Sequence, residues 1–449
     1  MLVDHLDLLF SLFVVWSTTP SDSHVRCMSL WKSLAQNVLA DMWRVSDFLR
    51  VDRRLQMLQL HVALPSGRSE SLSILPSSKV GDLKLQAQEC FQQGFLRLAT
   101  ADGQVLNDPL LALEELQLQD GDHLTGIASP PQLAATEEAF ALWCVGGDRI
   151  ITWGNRDAGG DSSAVQAQVR GVQQIWGSMK AFSALLADGS VVSWGHPEFG
   201  GDTSPVQDQL LEVTRLEAAE RAFAAILADG SVVTWGRPDF GGSCSQVKDQ
   251  LRNVQQICAA RFAFAAILSD GSVVAWGVPA EGGDCSAVQD RLVDVQQIQA
   301  AHFAFAAILA DRSVVTWGDG RLGGDSSKVQ DQLCAVQQIK ATATAFAAIR
   351  ADGSVVTWGN REDGGDMSIV QDQLKNVQQL QATDFAFAAI LADGSVVTWG
   401  DPRFGGDSSQ VQAQLRNVQQ IQATCWAFAG ILSDGSVVTW GRAECPDGV

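Results

Sequence analysis

Few residues in this sequence of 449 are spaced for chemistry, and its histidines, cysteines and recurring aspartates are the first to weigh. The six histidines, at positions 5, 24, 61, 123, 196 and 302, fall into no metal-ligand spacing, and there is no Gly-x-Ser-x-Gly elbow, Walker loop or paired-carboxylate motif. Nine cysteines, an odd number, are scattered without a Cys-x-x-Cys pair, which suits reduced thiols; Cys244 and Cys285 share a repeat position and read as small buried side chains. Gly-Gly-Asp recurs, as at Gly405-Gly406-Asp407, but only one carboxylate recurs per loop and Ser243 replaces it once, whereas calcium takes six or more oxygens. The glycines instead supply backbone conformations closed to other residues, and Asp407 or Ser408 caps a short helical turn carrying Val411 and Leu415 on one face. No catalytic residue, metal ligand or cofactor is assigned, and the expectation is a protein that is not an enzyme. An enzyme whose site is assembled only in three dimensions is the alternative.

The elements that carry these loops repeat with a fixed period. The sentence AFAAILADGSVVTWG at residues 386–400 recurs almost word for word, and its Trp-Gly falls at Trp153, Trp194, Trp235, Trp276, Trp317, Trp358, Trp399 and Trp440, always 41 residues apart. A period of this length means units that cannot bury their own faces and must stack on their neighbours. Each sentence reads as a β-hairpin about Asp-Gly, expected as a type I′ turn, with a third short strand some ten residues earlier, as at Val377. The lone turn misfit is Arg312, which stands where other units have glycine. A worn unit beginning at Pro130 and Pro131 precedes the hairpin ending at Trp153, giving eight units, with the prolines placing that strand at an edge. Because the last unit is as apolar as the inner ones, closure onto the first is expected in preference to an open solenoid with polar caps.

Four regions follow from these patterns. Residues 1–54 are an N-terminal extension with a helix predicted over 28–50 from Trp31, Leu34, Val38, Met42, Val45 and Leu49. Its apolar run at residues 8–16 is too short to span a bilayer, and Asp4 and Asp7 stand where a secretory segment carries basic residues; whether residues 1–30 are a cleaved targeting segment stays open. Residues 55–128 alternate as a hairpin, then present Val80, Leu83, Ala87 and Phe91 on one helical stripe capped by Ser77 or Ser78, then further short strands. Residues 129–441 are the repeats, and 442–449 a tail.

The stretch from LQLHVALPSGRSESLSILPSSKVGDLK through LQDGDHLTGIA resembles the ubiquitin-like β-grasp. It runs on through Ser129-Pro130-Pro131 without a free Gly-Gly carboxylate and carries Arg97 where ubiquitin shows an apolar patch, so the resemblance implies a built-in module rather than a conjugated one. The repeats, with their VxxI strand, Asp-Gly, VVTWG and following Gly-Gly, are similar to those of the regulator of chromosome condensation superfamily, most of all to the short-bladed β-lactamase inhibitor protein II branch; similar modules occur in HERC-type ubiquitin ligases. The resemblance implies a mainly β fold, a seven- or eight-bladed β-propeller behind an α+β ubiquitin-like domain. The family's usual histidine before the apolar strand is replaced by Phe223, Phe264, Phe305, Phe346, Phe387 and Phe428, and the tryptophan blocks of the plant ultraviolet-B photoreceptor have no counterpart. The Trp-Gly tryptophans are accordingly read as structural.

What differs between near-identical units is not demanded by the fold, and the differences concentrate in two loops per unit. Phe199, Phe240 and Phe404 follow Trp-Gly, while Phe262, Phe303, Phe385 and Trp426 precede the apolar strand, each beside charged or polar residues. Such mixtures bind proteins, though aromatics tucked against an adjacent blade fit as well. With 51 acidic against 31 basic residues and a net charge of −20, the chain is unsuited to nucleic acid, and no membrane segment is assigned. The expected function is a monomeric interaction scaffold, cytoplasmic or nuclear, binding a protein partner whose identity the sequence leaves open, with ubiquitin-pathway components as one candidate class. The alternative that the resemblance implies is nucleotide exchange or other regulation of a small GTPase.

Overall fold

The computed structural model describes residues 57–92, 96–106, 111–116, 118–128 and 130–442. The helix expected over 28–50 and the tail after Arg442 lie outside the described residues. The chain divides into two compact units between Pro131 and Gln132. Among the described residues no helix is long and apolar enough to cross a membrane.

In the first unit, β1 (Leu58–Ala63) pairs antiparallel with β2 (Ser69–Ile74) and parallel with β4 (His123–Ala128), which pairs antiparallel with β3 (Leu96–Thr100), giving the order β2-β1-β4-β3. Helix α1 (Val80–Phe91) buries the predicted stripe of Val80, Leu83, Ala87 and Phe91 against Leu60, Val62, Leu72, Leu98 and Leu124. The cap is not a serine. Lys79 takes that position, and the Asp82 carboxylate three residues on accepts its backbone N–H at 2.9 Å, satisfying a donor that Ser77 and Ser78 stand too early to serve.

The second unit holds eight three-stranded antiparallel sheets, spanning 131–154, 172–195, 213–236, 254–277, 295–318, 336–359, 377–400 and 418–441. Three short strands per repeat are consistent with propeller blades. In each sheet the middle strand is the one that begins Ala-Phe. In the seventh, Phe387 lies opposite Trp399 and the rings stack 5.3 Å apart, a pairing found in every sheet at 5.2–5.5 Å. The hairpin turns differ from the type I′ expectation: Gly394 alone has positive φ, at +76°, its N–H bonds the Leu391 carbonyl, and the Asp393 carboxylate accepts from the Ser395 N–H and hydroxyl. Asp-Gly serves equally a type I turn closed by a left-handed glycine, and the carboxylate favours that geometry by capping the returning strand. Arg312 occupies the glycine position at φ +67°.

Successive sheets pack face to face by one rule. Ala263, Ala265, Ile267 and Val273 of the fourth sheet cover Phe305, Ala307, Val315 and Trp317 of the fifth, with Leu292 of the connecting segment and Val295 and Ile298 of the fifth sheet's first strand filling the edge. The Trp317 indole N–H donates across the junction to the Gly282 carbonyl at 3.0 Å. The first glycine of each Gly-Gly explains itself here: Gly282, at φ +98°, lies on the Phe305 ring so closely that a Cβ would stand 2.6 Å from it.

Closure of the last sheet onto the first is not what the structure shows. Phe140 of the first sheet is 42% exposed, while Phe182, Phe223 and their successors are buried, and Val437 of the last sheet is 59% exposed. Among the described residues no hydrophobic cluster joins the eighth sheet to the first. An apolar final repeat is weak evidence of a ring, because the repeat dictates those face residues whether or not a neighbour follows.

Candidate functional site

One position in each unit lies on a continuous inter-sheet ladder of backbone hydrogen bonds. The N–H of Glu137 donates to the Met179 carbonyl, Met179 to Glu220, Glu220 to Arg261, Arg261 to His302, His302 to Ala343, Ala343 to Asp384 and Asp384 to Cys425, all at 2.8–3.2 Å. Since only main chain is used, the side chain there is free to vary, and nearly every unit carries a different one. This brings ionisable groups from separate repeats into one line.

The third position of the line is Glu220, whose side chain is only 10% exposed and which pairs with both Arg261 and Arg221, the latter at 3.2 Å. Taking that carboxylate out of water is offset by two guanidinium partners. Burial, then the charge of Glu220, raises Glu137 above the usual carboxylate range. Farther along, burial lowers His302 and raises Asp384, while the attraction between the two opposes both shifts. Burial also raises Glu281, whose Oε2 is enclosed without a hydrogen-bond partner.

The aromatics singled out in the sequence flank this line. The Arg221 guanidinium lies 5.1 Å from both the Phe199 and Phe240 rings, and Arg261 lies 5.1 Å from Phe262 and 6.0 Å from Phe303. Phe240 meets Phe262 edge-on at 4.9 Å, and Phe262 meets Phe303 at 6.3 Å, so these four rings and two arginines form one strip. Phe385 and Phe404 form a second group, 4.5 Å apart, under Arg403, which forks onto Asp401. Trp426 is half-buried in the eighth unit and stands apart from both groups. Phe199 is buried; the other five phenylalanines are half-buried, partly packed on the adjacent unit and partly open.

Sequence reasoning missed Glu220 and the ladder. The signal is present: aligning the repeats on their tryptophans and reading the residue fifteen places earlier gives Met179, Glu220, Arg261, His302, Ala343, Asp384 and Cys425. The first unit is one residue longer in its turn, which displaces Glu137 from that count. The repeated loop aspartates, by contrast, are engaged locally. Asp407 accepts the Ser409 N–H at 2.8 Å, and among the described residues no group of three or more His, Cys, Asp or Glu side chains is placed to share a metal ion. Cys244 and Cys285 are buried, and burial raises the Cys285 thiol, leaving it a poor nucleophile.

No protein-family model matches the chain, and no curated protein matches it in sequence. Solved structures do. The ectodomain of the Arabidopsis thaliana receptor kinase ACR4, described as CRINKLY WD40, is 16% identical at a TM-score of 0.33, covering 70% of this chain and 98% of that one. Prp20p from Saccharomyces cerevisiae, described with its binding properties to Gsp1p and histones, is 16% identical at a TM-score of 0.36, covering 60% and 82%. A Caldiarchaeum subterraneum ubiquitin is 20% identical at a TM-score of 0.16, covering 17% of this chain and 96% of its own. Likenesses at this level carry no argument about partners or activity.

Proposed function

We propose that the chain is a non-catalytic interaction scaffold, and that the strip of Phe199, Phe240, Phe262 and Phe303 around Arg221 and Arg261 receives a protein partner. The observation that carries this reading is the ladder: the repeats hold the backbone constant and set a different side chain at one position per unit, beside half-buried aromatics. Anchors of this kind, arginine and aromatic rings over a desolvated ion pair, concentrate binding energy. In this reading the sheets are blades of an eight-unit propeller-type array, and the first unit is a ubiquitin-like module serving a second, ubiquitin-pathway factor; its β2-β1-β4-β3 order with one crossing helix supports that assignment. A cytoplasmic or nuclear location belongs to the same proposal, since the scattered cysteines suit reduced thiols.

The test is capture of partners by the intact chain and by a Phe262→Ala, Phe303→Ala variant, with circular dichroism as the folding control. The same captured proteins should be lost from a Trp426→Ala, Phe385→Ala variant only if the partner spans both aromatic groups. Unfolding of the first variant would favour a packing role for these rings, and unchanged capture by a folded variant would overturn the assignment. Exchange on a small GTPase is the second reading of the repeat resemblance, and nucleotide release in the presence of the chain decides it.

A further inference from the structure

Each junction between sheets is built from two different faces, and the chain makes that junction seven times. One face is the Ala, Ala, Ile, Val set, as in Ala386, Ala388, Ile390 and Val396; the other is the Phe and Trp set, as in Phe428, Val438 and Trp440. The seam is also hydrogen-bonded at both rims. The Trp440 indole N–H donates to the Gly405 carbonyl at 3.2 Å, and the Val418 N–H donates to the turn carbonyl of Gly394 at 2.9 Å.

The two ends of the array leave one half of that junction each. The eighth sheet presents Ala427, Ala429, Ile431 and Val437, with Ile431 36% and Val437 59% exposed. The first sheet presents Phe140, Ile151 and Trp153, with Phe140 exposed and the other two half-buried. The rims are open as well: a Cβ on Gly394 would stand 2.8 Å from Asn417 of the following unit, whereas one on Gly435 would meet nothing within 4 Å. Among the described residues no glycine carbonyl receives the Trp153 indole as Gly405 receives that of Trp440.

We propose that the eighth sheet of one copy receives the first sheet of a second copy, so that the chain associates head to tail. The occupant is specified by the molecule itself: the face that fits Ala427, Ala429, Ile431 and Val437 is the Phe and Trp face, already seated on the same residue types at five of the seven internal junctions. A second copy offers that face with Phe140 exposed and Trp153 half-buried, while among the described residues no hydrophobic cluster joins the chain's own first sheet to its eighth. Such a contact joins unlike surfaces, so it does not stop at two copies unless a rotation closes it. A net charge of −20 per chain opposes association at low salt, and added salt relieves this repulsion.

The test is sedimentation velocity of the full chain at high salt, from micromolar upward, with two variants. Phe140→Arg blocks the first face and Ala429→Arg the last. The expected result is a sedimentation coefficient that rises with concentration for the unaltered chain, single copies for each variant alone, and a complex of one copy of each when the variants are mixed, because one unblocked face of each kind remains. Both substitutions lie at the exposed ends of the array, and hydrogen exchange at the inner sheets checks that folding persists. Should Ala429→Arg be lost to misfolding, Val437→Glu replaces it, and should Phe140→Arg be lost, Ile151→Arg on the same face replaces that. A single species at every concentration for the unaltered chain would overturn the proposal, including the case in which Phe140→Cys and Val437→Cys form a bond within one chain and the array has closed on itself. Self-association of Phe140→Arg alone would overturn it too, by showing that like faces pair.

Discussion

Replacing Trp317 by phenylalanine isolates what one junction is worth. Trp317 is 4% exposed, stacks on Phe305 at 5.2 Å and donates to Gly282 at 3.0 Å. Leaving that buried carbonyl without its donor costs about 1–3 kcal/mol. The void beneath the smaller ring adds about 1 kcal/mol, so the loss should fall near 2–4 kcal/mol, roughly the sum of the two terms. The same substitution at Trp153 is the control. Trp153 stacks on Phe140 at 5.4 Å but is half-buried, with no indole hydrogen bond among the described residues, and its loss should stay below about 1 kcal/mol. Urea unfolding followed by far-ultraviolet circular dichroism measures both without depending on tryptophan emission. Because a repeat array is stabilised by local and nearest-neighbour terms, hydrogen exchange over 295–318 should show the Trp317→Phe loss concentrated there. Equal losses at the two positions would refute the view that stability resides in the contact between successive sheets, and would place it within each sheet instead.

Two further outcomes follow from the turns. Arg312→Gly removes a side chain from a left-handed backbone at φ +67°, a strain of about 1–2 kcal/mol. Against the extra freedom of glycine in the unfolded chain, about 0.5–1 kcal/mol, a net gain near 0.5–1 kcal/mol should raise the urea midpoint; a fall would show that the arginine side chain contributes more than its backbone costs. The second outcome concerns acid. Asp188, Asp229, Asp270, Asp311, Asp352, Asp393 and Asp434 are each held below the ordinary value of 3.8, first by the hydroxyl of the serine two residues on and then by its backbone N–H. Folded values below the unfolded one mean stability that is complete above pH 3.8 and is lost as pH falls through the lowered values. The urea midpoint should therefore drop below about pH 4, and Asp270→Asn should flatten that drop; a midpoint rising on acidification would contradict it.

The units were legible in the sequence because one rule, an aromatic face laid on a small-residue face, writes the same letters at the same spacing in every repeat. The helix stripe of Val80, Leu83, Ala87 and Phe91 was legible for the same reason, since burial on one side imposes a period. The turn type was not, because Asp393-Gly394 satisfies two geometries and only the serine hydrogen bonds choose between them. Openness at the ends was hidden because Val437 and Phe140 are the residues an inner unit would carry, and identity says nothing about whether a neighbour is present. The Glu220 line was hidden by its own variability. A ladder made only of main chain leaves no shared residue to find, and the pairing of Glu220 with Arg261 joins neighbouring repeats, which a search within each repeat passes over.

The uncovered ends also bear on how the array responds to force. Sheets fastened only to their neighbours have no hoop to fix the span from first to last, so a small rotation at each junction accumulates along the series. A ligand gripping several of the ladder side chains would wind or unwind the whole succession like a torsion spring, and the distance between Phe140 and Val437 would report the strain.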